Sequence, residues 1–214
     1  MANRDKPVIV FGAGAHGRVL IEALELAGRR VEAFILDDDS GLQGKPIAGR
    51  EVCTPDRLDR LDPASVELVN AVGSIGLPAA RRRVYERFAQ RGFRFAAVAH
   101  LSATVSSSAT LAEGVQIMAG CVVQAGASIG VNTLLNTRVG VDHDCVIGGH
   151  CHLAPGVTLS GNVAVGDGCH LGTGAVVIQG VHIGPGSFVA AGAVVTRDLP
   201  PGSNARGVPA KPRD

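Results

Sequence analysis

Aromatic residues are scarce in this 214-residue chain, which contains no Trp, one Tyr and six Phe. Because aromatic rings usually supply much of the buried area of a mixed core, aliphatic and small side chains must fill the interior here. The chain is nevertheless 46% hydrophobic, so the composition excludes a disordered protein and predicts a folded one. Its length allows one large domain or two small ones.

Long apolar segments are also missing, because no run approaches the ~18 residues that a membrane-spanning helix needs. The N-terminus enters a strand pattern at Lys6–Phe11 instead of a signal segment, so we expect a cytoplasmic protein that binds no membrane. A formal net charge of only +1 argues against nucleic acid as a partner. Five Cys, an odd number, make a disulfide framework unlikely in the cytoplasm.

Charge and glycine are unevenly distributed along the chain. Residues 1–100 contain 28 of the 39 charged residues and 10 of the 29 Gly, whereas residues 101–196 contain 17 Gly and only five charged residues. The change predicts an α/β domain over residues 1–98, a repeat domain over 99–196 and a C-terminal tail over 197–214. The five charged residues of the repeat region are Glu113, Arg138, Asp142, Asp144 and Asp167.

The repeat region has a period of six. Every sixth residue from Val105 to Val195 is aliphatic, at sixteen consecutive positions, and the residue two before each is small or β-branched. This period fits neither an α-helix nor a meander, but it predicts a parallel β-helix with three short strands in each 18-residue coil. Gly often follows the aliphatic residue, as at Gly130 and Gly148, where a corner needs either a positive φ or close backbone approach.

The N-terminal region alternates strand and helix patterns, which predicts a small parallel α/β domain of half-Rossmann type. The predicted strands and helices, in chain order, are strand 6–11, helix 15–28, strand 31–36, strand 66–72, helix 78–91 and strand 93–98.

A G-x-G-x-x-G motif at Gly12–Gly17 lies between the first strand and the first helix, and Asp37 follows twenty residues after Gly17. Such a turn lets backbone N–H groups approach a phosphate, while a carboxylate binds ribose or base. About 100 residues are enough for one mononucleotide-binding half, so a single nucleotide fits better than NAD. A turn without a ligand remains the alternative. For the acidic run Asp37–Asp39, contact with a nucleoside, a metal site and a solvated loop all remain open.

Four His between residues 143 and 170 raise the possibility of zinc, since His150 and His152 lie near two carboxylates. The 18-residue register argues against a metal site, because it stacks His152 on His170 and leaves His143 between Ala125 and Gly161. Four Cys share the small position two before the aliphatic residue, so we interpret them as core filler. These are Cys121, Cys145, Cys151 and Cys169.

His143 is the candidate general base, because carboxylates adjoin it in a region that otherwise has little charge. A carboxylate on one ring nitrogen fixes the tautomer and stabilises the imidazolium that forms. Asp144 is the first candidate for this carboxylate and Asp142 the second. A surface His in a polar corner is the alternative interpretation.

Together these segments resemble the bacterial hexapeptide-repeat acetyltransferases that act on nucleotide-linked amino sugars, which include NeuD- and PglD-like proteins. The resemblance covers nearly the whole chain. The residues that carry it are Gly12–Gly17, Leu36–Asp38, Ala71–Gly73, Asn136–Thr137, Val141–Gly148 and Gly207–Lys211.

This resemblance implies a left-handed β-helix, a homotrimer and acetyl-CoA as co-substrate, bound between neighbouring β-helices with no metal. It implies that His143 is the base and that Asp144, where the family often has Glu, raises its basicity. The implied acetyl-CoA contacts are His152, Gly161, Thr173 and Ala191. The implied contacts of the nucleotide-linked sugar are Gly14, Ala15, His16, Asp37, Asp38 and Gly73.

The expected reaction is direct transfer of acetyl to the amine of a UDP- or GDP-linked 4-amino-4,6-dideoxy sugar, for surface polysaccharide or glycan synthesis. An O-acetyltransferase of the NeuD type is the enzymatic alternative. A non-catalytic nucleotide-binding trimer and an NAD-dependent enzyme are the other classes considered.

Overall fold

The computed structural model describes residues 6–38 and 40–212. The N-terminal region is an α/β domain, as predicted. Its strands are β1 (Val8–Phe11), β2 (Val31–Leu36), β3 (Pro46–Ile47), β4 (Arg50–Cys53), β5 (Glu67–Asn70) and β6 (Arg94–Phe95). Its helices are α1 (Ala15–Leu26) and α2 (Ala79–Ala89), with 3-10 turns at Ser40–Leu42, Pro55–Arg60 and Pro63–Ser65.

The six N-terminal strands form one sheet in the order β3-β4-β2-β1-β5-β6, in which β3 alone is antiparallel to its neighbour. Alternate residues of β1 face opposite sides, so Val8 and Val10 pack with α1, whereas Ile9 and Phe11 pack with α2. Most aromatic rings of the chain lie on the α2 side. The α1 side extends onto the β-helix through Met118.

Three of the four predicted strands differ from those observed. The strand predicted over 6–11 begins only at Val8. The pattern over 66–72 yields a strand only at Glu67–Asn70, because the chain then turns at the carboxyl edge of the sheet. The pattern over 93–98 yields two strands, of which Arg94–Phe95 joins the N-terminal sheet and Val98–Ala99 joins the β-helix. One continuous strand pattern in the sequence therefore spans the boundary between the N-terminal domain and the β-helix.

The rest of the chain is a left-handed parallel β-helix with three faces, each a stack of short strands that have two residues, except for Asn204–Arg206, which has three. The last strand, Lys211–Pro212, is antiparallel to its neighbour. The first face contains Val98–Ala99, Gln116–Ile117, Leu134–Leu135, His152–Leu153, His170–Leu171, Phe188–Val189, Asn204–Arg206 and Lys211–Pro212. The second contains Thr104–Val105, Val122–Val123, Gly140–Val141, Thr158–Leu159, Val176–Val177 and Val194–Val195. The third contains Thr110–Leu111, Ser128–Ile129, Val146–Ile147, Ala164–Val165 and His182–Ile183.

The predicted six-residue register is confirmed, because each of the sixteen aliphatic residues is the second residue of one of these strands. From Ile117 to Val195 these side chains are at most 3% exposed, whereas Leu111 in the first coil is 37% exposed. The four Cys of the repeat are free and fully buried. Strands pair with partners 18 residues away, so equivalent residues of successive coils stack directly.

Glycine serves two separate purposes at the corners. Every sixth position from Gly114 to Gly192 has a positive φ, including five that are not Gly, among them Asn132 and Asp144. Gly that follows the aliphatic residue has no such φ. At Gly130, a Cβ would lie 2.5 Å from backbone atoms of Gly148 and Gly149. Of the two reasons expected for these glycines, close approach between coils is therefore the one that applies.

The β-helical stacking continues beyond residue 196. Asn204–Arg206 pairs with the strand at Phe188–Val189, and Leu199 bridges to Ile183. Neither helix of the described residues is long and apolar enough to cross a membrane.

Candidate active site

A cavity of about 620 Å³ opens at the carboxyl ends of β1, β2 and β5. This edge of a parallel sheet is where nucleotides bind in doubly wound folds. The cavity is lined by Phe11, Gly12, Gly14, Asp37, Asp38, Ala71, Val72, Gly73, Ala80, Arg83, Val84 and Arg87.

The glycine motif packs tightly against the segment after β5. Gly12 has a φ of +120°, and a Cβ there would lie 2.8 Å from the carbonyl carbon of Ala71. Only Gly allows both this backbone conformation and this approach. The turn and the Ala71–Gly73 segment therefore form two adjoining walls of one cavity.

Four of the six residues expected to contact the nucleotide-linked sugar line this cavity: Gly14, Asp37, Asp38 and Gly73. Asp37 also stabilises the turn, since its Oδ2 accepts a hydrogen bond of 2.7 Å from the backbone N–H of Ala13. Asp39 lies outside the described residues.

Ala15 and His16 begin α1 and do not line the cavity. The His16 side chain reaches the β-helix, where its Nε2 donates to Gln116 Oε1 over 3.0 Å. Burial lowers the pKa of His16 to about 4, so the imidazole is neutral at physiological pH.

Sequence reasoning missed two basic residues of the cavity, Arg83 and Arg87, which lie on α2. Arg87 forms an ion pair with Asp38 at 3.0 Å. Arg residues on a helix usually indicate a solvated face, and only the fold shows that these two face the carboxyl edge of the sheet. They bring two guanidinium groups into a cavity that also contains two carboxylates, and guanidinium groups are common ligands of phosphate oxygens.

His143 lies at a corner between the second and third faces, stacked between Ala125 and Gly161 as the register predicted. Its Nδ1 is 2.9 Å from Asp144 Oδ2, and its side chain is 49% exposed. Because a carboxylate only accepts, Nδ1 carries the proton and Nε2 presents its lone pair. The other carboxylate, Asp142, accepts from the backbone N–H of His143 instead.

The pKa of His143 is raised, chiefly by the hydrogen bond from Nδ1 to Asp144. The imidazole is therefore more basic than an ordinary His, as a general base for an amine requires. Two glycines make room for the pair. A Cβ at Gly161 would overlap Nε2 of His143, and a Cβ at Gly126 would overlap Oδ1 of Asp144.

The residues expected to contact acetyl-CoA fall into three places. Gly161 lies under His143, whereas Thr173 and Ala191 stack at the exposed corner between the first and second faces. His152 is buried where the two domains meet. The second face thus separates Gly161 from Thr173 and Ala191 within one chain.

His152 Nδ1 lies 2.8 Å from Ser74 Oγ, in the segment that follows Gly73. Its ring makes an edge contact with His170 at a centroid distance of 4.9 Å, which confirms the predicted stacking. Burial lowers the pKa of His152 to about 3. Within residues 6–38 and 40–212, no group of three or more His, Cys, Asp or Glu could hold a metal ion.

Comparison with known proteins identifies both regions. The PglD N-terminal domain model matches residues 7–88, and the bacterial transferase hexapeptide model, with six repeats, matches residues 162–197. UDP-3-O-acylglucosamine N-acyltransferase of Methylorubrum extorquens (strain PA1) is 36% identical over 132 residues, which are 59% of this chain and 38% of that protein. The chain thus spans well under half the length of the curated relatives it matches.

Solved structures match along the whole chain. The acetyltransferase domain of PglB from Neisseria gonorrhoeae is 36% identical with a TM-score of 0.89, covering 98% of this chain and 100% of that one. PerB from Caulobacter crescentus, solved with CoA and GDP-perosamine, is 38% identical with a TM-score of 0.89, covering 98% of both chains. The chain therefore belongs to the PglD-like family of hexapeptide-repeat sugar N-acetyltransferases.

Proposed function

We propose that this protein transfers the acetyl group of acetyl-CoA to the amine of a nucleotide-linked 4-amino-4,6-dideoxy sugar. The observation that carries the proposal is the His143–Asp144 pair, which presents a free Nε2 over Gly161 in the same chain as a nucleotide-sized cavity. PerB, similar over the full chain, was solved with CoA and GDP-perosamine. We propose that the nucleotide of this sugar is either UDP or GDP.

In the proposed reaction the sugar amine attacks the thioester carbonyl directly, and His143 Nε2 accepts the proton that the amine loses. Asp144 stabilises the imidazolium through Nδ1. A backbone N–H stabilises the oxyanion, and the CoA thiolate leaves. No covalent acyl-enzyme is required, and the four Cys of the repeat, all buried, support this.

The N-terminal domain would hold the nucleotide in the cavity at the sheet edge. Arg83 and Arg87 would face the diphosphate, while Asp37 and Asp38 would accept hydrogen bonds from ribose or base. Gly14 and Gly73 would leave room for the phosphates.

The β-helix would hold acetyl-CoA with His152, Gly161, Thr173 and Ala191 as contacts. We propose a homotrimer, because two chains side by side would bring the Thr173–Ala191 corner of one against the His143 corner of the other. That arrangement would unite contacts that the second face separates within one chain. Five free Cys support a cytoplasmic setting.

The decisive experiment is thiol release from acetyl-CoA, measured against a panel of UDP- and GDP-linked 4-amino sugars and their 4-hydroxy analogues. We expect release with at least one amine and none with its hydroxyl analogue. Release with hydroxyl analogues alone would show an O-acetyltransferase, and no release with any acceptor would refute the proposed function.

His143→Ala should lower kcat about 10²- to 10⁴-fold, the usual contribution of a general base. His182→Ala is the matched control, since His182 is also an exposed β-helix His beside an Asp. Unchanged release from His143→Ala would show that another group, or the free amine itself, handles the proton.

A further inference from the structure

Arg81 of α2 is the most deeply buried charged side chain in the described part of the chain, with 1% exposure. Its Nε donates to the backbone oxygen of Asn132 over 3.1 Å. Its Nη1 donates to the backbone oxygens of Asn70, over 2.6 Å, and Val72, over 3.4 Å. Burial lowers its pKa to about 9, so the guanidinium remains charged at neutral pH.

These three oxygens belong to two domains. Asn70 ends β5 and Val72 lines the nucleotide cavity, whereas Asn132 is a positive-φ corner of the β-helix. The Asn70 side chain forms a second link between the two domains. Its Nδ2 donates to the backbone oxygen of Arg81 over 2.8 Å and to Asn132 Oδ1 over 3.1 Å. Gln116 of the first face also donates to the Asn70 backbone oxygen, over 2.7 Å.

A purely structural role would not need a charge here. Arg81 shares the buried face of α2 with Val84 and Phe88, and this face is otherwise apolar. A buried guanidinium held by backbone oxygens alone is costly compared with an apolar side chain, and its Nη2 has no partner among the described residues. Unlike an apolar side chain, the planar guanidinium group of Arg can hold several carbonyl oxygens at once in a fixed geometry.

We infer that Arg81 is a positioning residue that fixes the Asn70–Gly73 wall of the nucleotide cavity against the β-helix. Because this wall also contacts Gly12, a displacement of it would alter the cavity on two sides. Arg81 thereby sets the place of the nucleotide relative to the acetyl-transfer site. This role rests on the proposed function for the identity of the ligand.

The test compares Arg81→Met and Arg81→Lys with Arg82→Met, a neighbour on α2 whose side chain is 53% exposed. Dissociation constants for UDP, GDP and CoA are measured by calorimetry, together with KM for the sugar and for acetyl-CoA. Arg81→Met should weaken the preferred nucleoside diphosphate about tenfold, as loss of a charged hydrogen bond predicts, and leave CoA within about twofold. Arg81→Lys should restore little, because the single nitrogen of an ammonium group cannot take the places of both Nε and Nη1, which hold the oxygens of different segments.

Equal weakening of nucleotide and CoA, or a change within twofold for both, would overturn the role of Arg81. So would a wild-type chain that binds neither UDP nor GDP. If the Arg81 variants do not fold, Asn132→Gly replaces them, since Gly is the usual residue at this corner position. It removes the link to Asn70 Nδ2 and should weaken the nucleotide about fivefold while sparing CoA. Failure of CoA release in the wild-type chain would refute the acetyltransferase proposal alone, because nucleotide binding is measured separately.

Discussion

The two regions of this chain are built by different means. In the β-helix one local rule recurs sixteen times, and the same rule that places Ile147 in the core places His143 beside Gly161. In the N-terminal domain each strand and helix is built once, and the cavity depends on contacts between segments far apart, such as Gly12 with Ala71. Because the β-helix is repetitive, the surroundings of His143 can be predicted from the sequence. The cavity of the N-terminal domain cannot, because its lining residues come together only in the folded domain.

The largest expected effect lies where the two regions meet. Burial holds His16 and His152 neutral, with pKa values of about 4 and about 3, whereas an unfolded His has about 6.5. The unfolded chain therefore binds more protons between pH 6 and pH 4. The free energy of unfolding should fall as pH falls, by about 1.4 kcal/mol per pH unit for each His.

Urea denaturation at pH 7, 6, 5 and 4 measures this loss. His152→Gln should make the decline shallower, whereas His182→Gln, at an exposed His, should leave the decline as in the wild-type chain. Equal declines in all three proteins would mean that His152 is not a cause of the decline.

The next effect separates the two kinds of corner glycine. Gly130→Ala places a Cβ against the backbone of the next coil, which cannot move aside, so we expect a loss of about 3 kcal/mol. Gly168→Ala meets no atom within 4 Å and costs only the positive φ, about 1 kcal/mol. Thermal and chemical denaturation of both variants measure the difference.

Gly28→Ala extends that test to the N-terminal domain, because Gly28 also combines a positive φ with open space. The stability that Gly28→Ala loses should be about the same as the loss in Gly168→Ala. If Gly130→Ala were as mild as these two, close coil stacking would not be what requires Gly there.

The smallest effect concerns His143 and Asp144, the proposed catalytic pair. The hydrogen bond to Asp144 raises the pKa of His143, and only the neutral imidazole acts as a base. Asp144→Asn should therefore move the acidic limb of the kcat/KM profile to lower pH and reduce the plateau, because a weaker base remains. Asp142→Asn should move the limb less, because Asp142 raises the pKa of His143 only through its charge and its side chain accepts from the backbone N–H of His143. An unmoved limb in Asp144→Asn would assign it to another group.

Much of the fold was predictable from local pattern alone. The aliphatic register, the buried Cys and the stack of His143 on Gly161 follow from a period that each coil obeys. The strand at Val31–Leu36 has its predicted bounds. Strand β4, with only Val52 fully buried, carries too weak an alternation to be recognised.

The missing parts of the site share one physical reason. Arg83 and Arg87 take part through tertiary placement, which an Arg-rich helix does not reveal. Arg81 did leave a signal, because it precedes Val84 and Phe88 by three and seven residues and so falls on the apolar stripe of α2. A charged residue on an otherwise apolar helix face indicates a position where contacts with other parts of the fold require that residue type.

The 18-residue coil also determines the steps by which the length of the β-helix can change. Adjacent strands of a sheet lie ~4.8 Å apart, so whole coils are the steps in which a β-helix can grow or shrink. The N-terminal domain contacts the β-helix at Gln116, Asn132 and His152, and His143 lies at a corner between the last two of these residues. Insertion of one 18-residue coil between Asn132 and His143 would keep the stacking of the coils, but it would move His143, together with His152, ~4.8 Å further from the N-terminal domain. The distance between the proposed nucleotide cavity and His143 can therefore change only by whole coils, and each such change also displaces the contact of His152 with Ser74.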